Sequence, residues 1–366
     1  MSVAAGPTIA LEALVSDCRE LAARAAQRIG GPAHLMEVCG THSHAIAHAG
    51  IRQAIGEDLR LVSGPGCPVC VTAARQIDLA LAIAGRDDTI LVTFGDMVRV
   101  PGTEASLAEV RAAGGQVRVV YSPMDCIQLA KENPDREIVM VAVGFETTVP
   151  TIALMLQAAR KAGIGNLSIL DAHKLVPPAM HALMAEEGVN LHGFICPGHV
   201  SVVIGSDAYH AVAETHRIPC VVAGFEPLDI LLAVRGLLGQ VARGDADVEN
   251  AYGRAVTEAG NRRAVEAIYS VFEVGEASWR GIGIIPDSGL RLREDWAEFD
   301  VLNRLDLQVS EAKEHPACHC GDMLRGRLLP KECPVFGKSC TPDKPLGPCM
   351  VSSEGACAAE YRYRSA

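Results

Sequence analysis

Apolar segments rich in β-branched residues alternate with segments of helical periodicity along most of the chain. Seven such runs predict buried parallel strands, because each is mostly apolar instead of alternating apolar and polar positions. They occupy residues 59–62, 89–94, 116–121, 138–143, 167–170, 193–195 and 220–222. Strands that alternate with helices in this way are typical of an α/β fold.

The predicted strands lead directly into loops rich in Gly, Pro, Cys, His and acidic residues. Ligands of open α/β sheets bind at the carboxyl ends of strands, so we expect these loops to face one crevice. Two pairs of short similar sequences indicate that the chain has two similar halves. One pair is GFE at 144–146 and 224–226, and the other is GPGC at 64–67 and CPGH at 196–199. The sequence therefore predicts two similar parallel-sheet lobes that face a cleft.

These patterns divide the chain into four expected segments. Residues 1–30 form an N-terminal helical segment, 31–150 the first α/β lobe, and 151–270 the second lobe with a helical linker. Residues 271–366 form a loop-rich, cysteine-rich C-terminal domain. The region 228–275 is mostly helical in pattern, and residues 244–249 are expected to be an exposed polar turn.

The charge and hydropathy of the chain exclude some classes of partner. A net charge of −11, with 44 acidic and 33 basic residues and 4% aromatics, argues against a nucleic-acid-binding surface. Residues 1–30 lack the basic start of a secretory signal, and no stretch reaches the about 20 apolar residues of a membrane span. We expect a cytoplasmic protein with no membrane partner, and its 13 cysteines suit a reducing compartment.

Six of those cysteines lie in the last fifty residues, among many prolines and glycines. They are Cys318, Cys320, Cys333, Cys340, Cys349 and Cys357. A segment of this composition builds little core of its own, so a metal or iron–sulfur site is expected to hold it together. The widely spaced set Cys318, Cys333, Cys340 and Cys357 favours a 4Fe-4S cluster over zinc, which usually takes close C-x2-C pairs. Cys320 and Cys349 then form a redox-active pair, or one of them replaces Cys318 or Cys357 as a ligand.

Cys39 stands in a stretch that combines a thiol with imidazoles, since His42, His44 and His48 follow it closely. One interpretation is that Cys39 ligates iron, or is a nucleophile whose pKa His42 lowers. The other is a buried cysteine beside a helix on which His44 and His48 share a face.

Cys67 and Cys70 form a C-x2-C motif in a Gly/Pro turn between a strand and a helical run. The start of a helix stabilises a thiolate, which favours disulfide exchange or transient metal handling. Half of a zinc site is the alternative, although the chain offers no second C-x2-C to complete it.

Glu146 lies at a strand end, in GFETT at 144–148, and His199 occupies a similar position. Glu146 is a candidate general acid/base or ligand-orienting group, whereas the structural alternative is a helix start capped by Thr147 or Thr148. Dinucleotide and P-loop fingerprints are absent from the sequence, because Pro286 and Glu332 stand where glycine is required.

Five ordered motifs together resemble the HypD family of hydrogenase maturation factors. They are CGTH at 39–42, GPGCPVC at 64–70, GFETT at 144–148, PGHV at 197–200 and MVSSEGAC at 350–357. The resemblance runs from about residue 33 to the C-terminus.

The resemblance implies a scaffold that assembles the Fe(CN)2CO group of nickel–iron hydrogenases with a HypC-type chaperone and a HypE-type cyanide donor. It implies that Cys39 binds the iron, that Cys67 and Cys70 are a redox pair, and that His42 and Glu146 position the iron or its ligands. Cys318, Cys333, Cys340 and Cys357 would hold the cluster, with Cys320 and Cys349 as a second thiol pair. A ferredoxin-linked thiol–disulfide oxidoreductase and a zinc-stapled binding module are the other function classes that these cysteines allow.

Overall fold

The computed structural model describes residues 5–363, with side chains described from residue 11. Its strands are β1 Ala33–Glu37, β2 Leu59–Ser63, β3 Thr89–Thr93, β4 Val117–Val119, β5 Glu137–Ala142, β6 Leu167–Asp171, β7 Gly193–Pro197, β8 Cys220–Ala223, β9 Val248–Asn250, β10 Phe272–Trp279 and β11 Gly283–Leu292. All seven predicted strands are present, with boundaries that differ by at most a few residues.

The α-helices separate most of these strands, and the strands of the two larger sheets are parallel. They are α1 Ala5–Ile29, α2 Gly40–His48, α3 Ile51–Ile55, α4 Pro68–Val71, α5 Ala74–Ala84, α6 Leu107–Ala112, α7 Asp125–Glu132, α8 Val149–Lys161, α9 Val176–Ala185, α10 Gly198–Ile204, α11 His210–His216, α12 Pro227–Arg243, α13 Arg262–Val271, α14 Val301–Arg304, α15 Cys320–Leu324 and α16 Ala356–Tyr363. Short 3-10 turns occur at Gly95–Met97, Asp207–Tyr209, Glu294–Phe299, Pro330–Glu332 and Pro348–Met350.

Two parallel sheets confirm the predicted α/β fold with two lobes. The first sheet has the order β2-β1-β7-β8-β9, and the second has the order β4-β3-β5-β6. Every pairing within them is parallel. Strands such as β3 are buried along their whole length, which explains why they read as continuous apolar runs.

The chain alternates between the two sheets. It builds β1 and β2 of the first sheet, then the whole second sheet, and returns to the first with β7, β8 and β9. The segments 31–150 and 151–270, expected to be one lobe each, therefore both contain strands of both sheets. The two GFE sequences follow β5 and β8, so this pair does place one copy at each sheet.

Three features of the sheets lay outside the predicted strands. β1 is an interior strand of the first sheet, between β2 and β7, and β10 with β11 forms a separate antiparallel hairpin. Residues 244–249, expected to be a polar turn, contain the start of β9, which pairs with β8 from Cys220↔Val248 onward. A three-residue edge strand with one apolar residue, Val248, and an exposed Glu249 carries too little apolar signal to be recognised, and this explains the difference.

The expected helices are set by local signals. α12, for example, has Pro227 in its first turn, Asp229 accepts the backbone N–H of Glu226 at 3.3 Å, and Gly244 ends it with φ +85°. The N-terminal helix α1 packs along α12. None of the described helices combines the length and apolar character needed to cross a membrane.

Candidate functional site

Cys39 occupies the junction between the interior strand β1 and helix α2. Its backbone is extended, with φ −151° and ψ 122°, so that it is the N-cap residue of α2. Its side chain is 7% exposed. The thiol therefore lies at the carboxyl end of the first sheet, where the parallel-strand rule places ligand sites.

The C-x2-C turn packs directly against Cys39. The backbone N–H of Gly40 donates to the carbonyl of Gly66 at 2.8 Å. A Cβ atom on Gly66 would collide with the backbone of Cys39, so only glycine permits this approach. The two motifs, 25 or more residues apart in sequence, form one site because β1 and β2 are neighbours in the sheet.

Cys67 and Cys70 are joined in a disulfide across α4, with their Cα atoms 5.2 Å apart. Cys67 is the N-cap of this short helix, and its sulfur accepts the backbone N–H of Cys70 at 3.1 Å. The predicted position at a helix start is thus correct. A pair that closes and opens within one turn can store and release two electrons.

The expectation that His42 gives Cys39 a lowered pKa is wrong, because the pKa of this thiol is raised. Burial raises the pKa of Cys39 to about 12, and the negative charges of Glu354 and Glu37 add to this rise. The backbone N–H of His42 does act in the expected direction, but desolvation outweighs it. The free thiol is accordingly protonated, and a metal ion that binds it must displace the proton.

His42 is buried and neutral. Burial lowers its pKa to about 4. Its Nε2 lies 2.9 Å from the carbonyl oxygen of Gly224 and must donate to it, which leaves Nδ1 as a lone-pair acceptor. That Nδ1 is buried and has no hydrogen-bond partner among the described residues. The ring also stacks near Phe225, on which exposed His199 lies at 4.0 Å between ring centroids.

His44 and His48 hold the C-terminal helix and are not directed toward Cys39. Their rings stack at 6.3 Å, and Tyr363 of α16 lies against both. The Tyr363 hydroxyl is 2.9 Å from Nε2 of His44. The interpretation that His44 and His48 share a helix face is therefore confirmed.

Glu37 is a buried carboxyl group beneath Cys39 for which the sequence analysis assigned no role. It accepts the backbone N–H of Cys39 at 3.1 Å and the hydroxyl of Ser43. Burial raises its pKa to about 7. The available signal was an acidic residue at the end of a mostly buried strand, in the segment AHLME of β1.

Glu146 lies at the end of β5 in the second sheet and supports a helix start. Its Oε1 accepts the backbone N–H of Val176, the first residue of α9, at 2.9 Å. Oε2 is buried without a hydrogen-bond partner among the described residues, and burial raises the pKa of the group to about 7. Thr148 is the N-cap residue of α8, but its hydroxyl bonds to the carbonyl of Phe145 instead of capping that helix. No described hydrogen bond joins Glu146 to Cys39.

The six tail cysteines converge on one cavity. Cys318, Cys320, Cys333, Cys340, Cys349 and Cys357 all line it, together with apolar residues such as Met323 and Phe336. Five of the six are buried and Cys318 is half-buried. The backbone N–H of Leu346 donates to the sulfur of Cys340 at 3.4 Å, the type of contact that thiolate ligands of clusters receive.

The chemistry of these donors fits a 4Fe-4S cluster. Soft thiolates in a cavity with apolar walls are the ligands and surroundings that such clusters take. Among the described residues, no three His, Cys, Asp or Glu side chains are arranged to hold a single metal ion. Within the set, Cys320 contacts both Cys318 and Cys349 through its thiol.

The cysteine-rich segment touches the loops of both sheets. Thr41 donates its hydroxyl to Glu354 at 3.0 Å beside the first sheet, and Ser352 donates to Asp96 at 2.8 Å beside the second. The turn Pro348–Met350, which carries Cys349, packs against α4, which carries Cys70. The cavity, the Cys67–Cys70 turn and Cys39 therefore form a continuous series of contacts.

Comparison with known proteins gives a consistent result. The family model described as "HypD: Hydrogenase formation hypA family" matches residues 13–364. The chain is 47% identical over 354 residues to the hydrogenase maturation factor HypD of Azotobacter vinelandii, covering 94% of this chain and 93% of that protein. It is 43% identical to HypD of Escherichia coli K12, covering 96% and 94% of the two chains. A putative hydrogenase expression/formation protein of Methanocaldococcus jannaschii is 44% identical, with coverage of 90% and 92%.

Proposed function

This chain belongs to the HypD family of hydrogenase maturation factors, and on that premise we propose that it is the cytoplasmic scaffold on which the Fe(CN)2CO group of a nickel–iron hydrogenase is assembled. The observation that carries the proposal is the packing of the Cys67–Cys70 turn onto Cys39, with Cys349 of the six-cysteine cavity against the same turn. One site then combines a soft ligand for iron with a dithiol that stores electrons.

Cys39 provides the anchor for the iron that is the cargo of this site. Its thiol is buried and protonated, so binding of iron releases one proton and forms one Fe–S bond. A single thiolate from this chain leaves coordination positions for a cysteine of a HypC-type chaperone and for the diatomic ligands. Neutral His42 adds an unpartnered Nδ1 at the first turn of α2, which can accept a hydrogen bond from a ligand.

Cys67 and Cys70 are the redox pair of the proposal. Opening their disulfide consumes two electrons and two protons and yields two thiols. A 4Fe-4S cluster held by Cys318, Cys333, Cys340 and Cys357 would supply electrons one at a time. Cys349 lies on the turn that packs against α4, and its thiol contacts that of Cys320, so this pair can pass the equivalents on by thiol–disulfide exchange.

Glu146 and His42 are proposed to position the iron or its ligands, the first from the second sheet and the second from the first. Cyanide would arrive from a HypE-type donor protein. The buried carboxyl of Glu146, with one oxygen unpartnered, can take up or release a proton near neutral pH.

Infrared spectroscopy of the protein purified with its chaperone tests the proposal. Wild type is expected to show cyanide and carbonyl stretching bands. Cys39→Ala is expected to lose these bands while the iron–sulfur absorbance of the tail stays intact. Retention of the cyanide bands in Cys39→Ala would defeat the assignment of the iron ligand.

A thiol–disulfide oxidoreductase is the second candidate, because the Cys67–Cys70 disulfide is formed in the structure. Catalytic reduction of a protein disulfide without the chaperone favours this candidate, and its absence removes it. A zinc-stapled module is tested by metal analysis, which should then find zinc in place of iron.

A further inference from the structure

A buried arginine links the hairpin β10–β11 to the site. Arg280 follows the last residue of β10 and is 5% exposed. Arginine stays charged in proteins, and a buried charge is costly unless nearby groups stabilise it. The position of Arg280 therefore calls for an anionic or strongly polar counterpart.

One side of Arg280 is fixed to the segment that follows Cys70. Its backbone N–H donates to the carbonyl of Val71 at 2.9 Å, and its Nε donates to the carbonyl of Thr72 at 2.8 Å. Thr72 also forms an isolated β-bridge with Trp279. The guanidinium is thus held in place relative to the Cys67–Cys70 turn.

The turn between β10 and β11, which contains Arg280, also contacts the wall of the cysteine cavity. A Cβ atom on Gly281 would collide with the Cα of Gly321, the residue after Cys320. Arg325 donates to the carbonyl of Gly281 and reinforces the contact. Arg280 therefore lies between the two groups of thiols.

The positive charge of Arg280 lies within electrostatic range of three cavity cysteines, Cys318, Cys320 and Cys349. Negative charge on any of these sulfur atoms, or on a group that they hold, is therefore stabilised by Arg280.

One nitrogen of the Arg280 guanidinium takes no part in these hydrogen bonds. Nη2 of Arg280 is buried and has no hydrogen-bond partner among the side chains and backbone that the structure describes. Buried donors are satisfied in the great majority of cases, and arginine pairs preferentially with anions. The unused donor and the three nearby thiols point to the same counterpart, which is negative charge in the cavity.

We infer that Arg280 is a positioning residue that sets the reduction potential of the cysteine cavity by stabilising its negative charge next to the Cys67–Cys70 turn. The inference rests on the proposed function, because it concerns the cluster and thiols of that site. One-electron reduction of a 4Fe-4S cluster adds one negative charge and moves no proton. Loss of the cation therefore makes reduction less favourable, with the electron supplied in the test by dithionite through viologen mediators.

The test is a potentiometric titration of the purified cluster-containing protein, followed by electron paramagnetic resonance. Arg280→Met removes the charge but keeps much of the volume, and the equilibrium constant for cluster reduction should fall at least tenfold, about 59 mV. Arg280→Lys keeps the charge and should shift less than half as far. Arg291→Met is the matched control, since Arg291 is an exposed arginine of the same hairpin, and it should leave the potential unchanged.

A titration of Arg280→Met that coincides with wild type would overturn the inference, as would an equal shift in Arg280→Lys. If Arg280→Met does not fold, the comparison of Arg280→Lys with Arg291→Met decides the question: a lysine shift of tenfold or more refutes the role of charge.

Purified wild type without a cluster would refute the cluster in the proposed function and this inference with it. A cluster that is present but whose potential is unchanged in Arg280→Met would overturn the inference alone, so the two failures are distinguishable.

Discussion

Replacing Glu146 with glutamine should make the stability of the protein less dependent on pH. Glu146 is fully buried, with Oε1 bonded to the backbone N–H of Val176 and Oε2 unpartnered. Burial raises its pKa from 4.5 to about 7 in the folded protein. Glutamine keeps an oxygen for the Val176 N–H but cannot ionise, so the comparison isolates the charge.

The direction of this pH dependence of stability follows from the raised pKa of Glu146. The folded protein holds the proton of Glu146 more tightly than the unfolded chain, so this contribution to stability is complete below about pH 4.5 and is lost as the pH rises through about 7. A shift of this size corresponds to about 3 kcal/mol in total. Between about pH 5 and pH 8.5, wild type should lose about 2.5 kcal/mol relative to Glu146→Gln.

Urea unfolding of both proteins under anaerobic conditions, followed by circular dichroism at several pH values, measures this difference. Glu276→Gln is the control, because Glu276 is an exposed glutamate of β10, and its effect should stay within about 0.5 kcal/mol. A Glu146→Gln difference that is flat across this pH range would refute the assignment of Glu146 as a buried, proton-binding carboxyl.

Other substitutions test the contacts of the site. Gly66→Ala should cost about 1–3 kcal/mol, because its Cβ collides with the backbone of Cys39, and should abolish iron uptake; Gly253→Ala, with open space around it, should do neither. Thermal unfolding and iron analysis check both, and a neutral Gly66→Ala would contradict the close approach. Cys333→Ala should remove the brown 4Fe-4S chromophore, whereas Cys126→Ala, in the separate core around α7, should retain it. Unchanged iron in Cys333→Ala would exclude this ligand.

The sequence was sufficient to place seven of the parallel strands and the loops that follow them, but not β1, which leads into Cys39. Continuous apolar runs mark β3, β5 and β8 because both of their faces are buried, and local composition records that burial directly. Local composition does not indicate which sheet a parallel strand joins. Periodicity is local, whereas β7 pairs with β1 across more than 150 residues of intervening chain. For the same reason, the alternation of the chain between sheets could not be predicted.

The electrostatics of the site also depend on tertiary structure. Neighbouring histidines in sequence suggested an acidic thiol at Cys39, but the desolvation that raises its pKa comes from β2, α2 and the C-terminal segment together. Glu146 shows the same limit, because the backbone N–H that it accepts belongs to α9, thirty residues away. Arg280 carried no motif signal, since its partners are Val71 and Thr72.

The convergence of the sulfur atoms is tested most directly by the redox state of Cys67 and Cys70 when the cysteine cavity is reduced. The protein is treated anaerobically with reduced methyl viologen, and free thiols are alkylated and identified by mass spectrometry. We expect both cysteines to become alkylated in wild type, while Cys349→Ser and the cluster-free Cys333→Ala keep the disulfide. Equal alkylation of Cys67 and Cys70 in all three proteins would show that electrons do not pass from the tail to this turn.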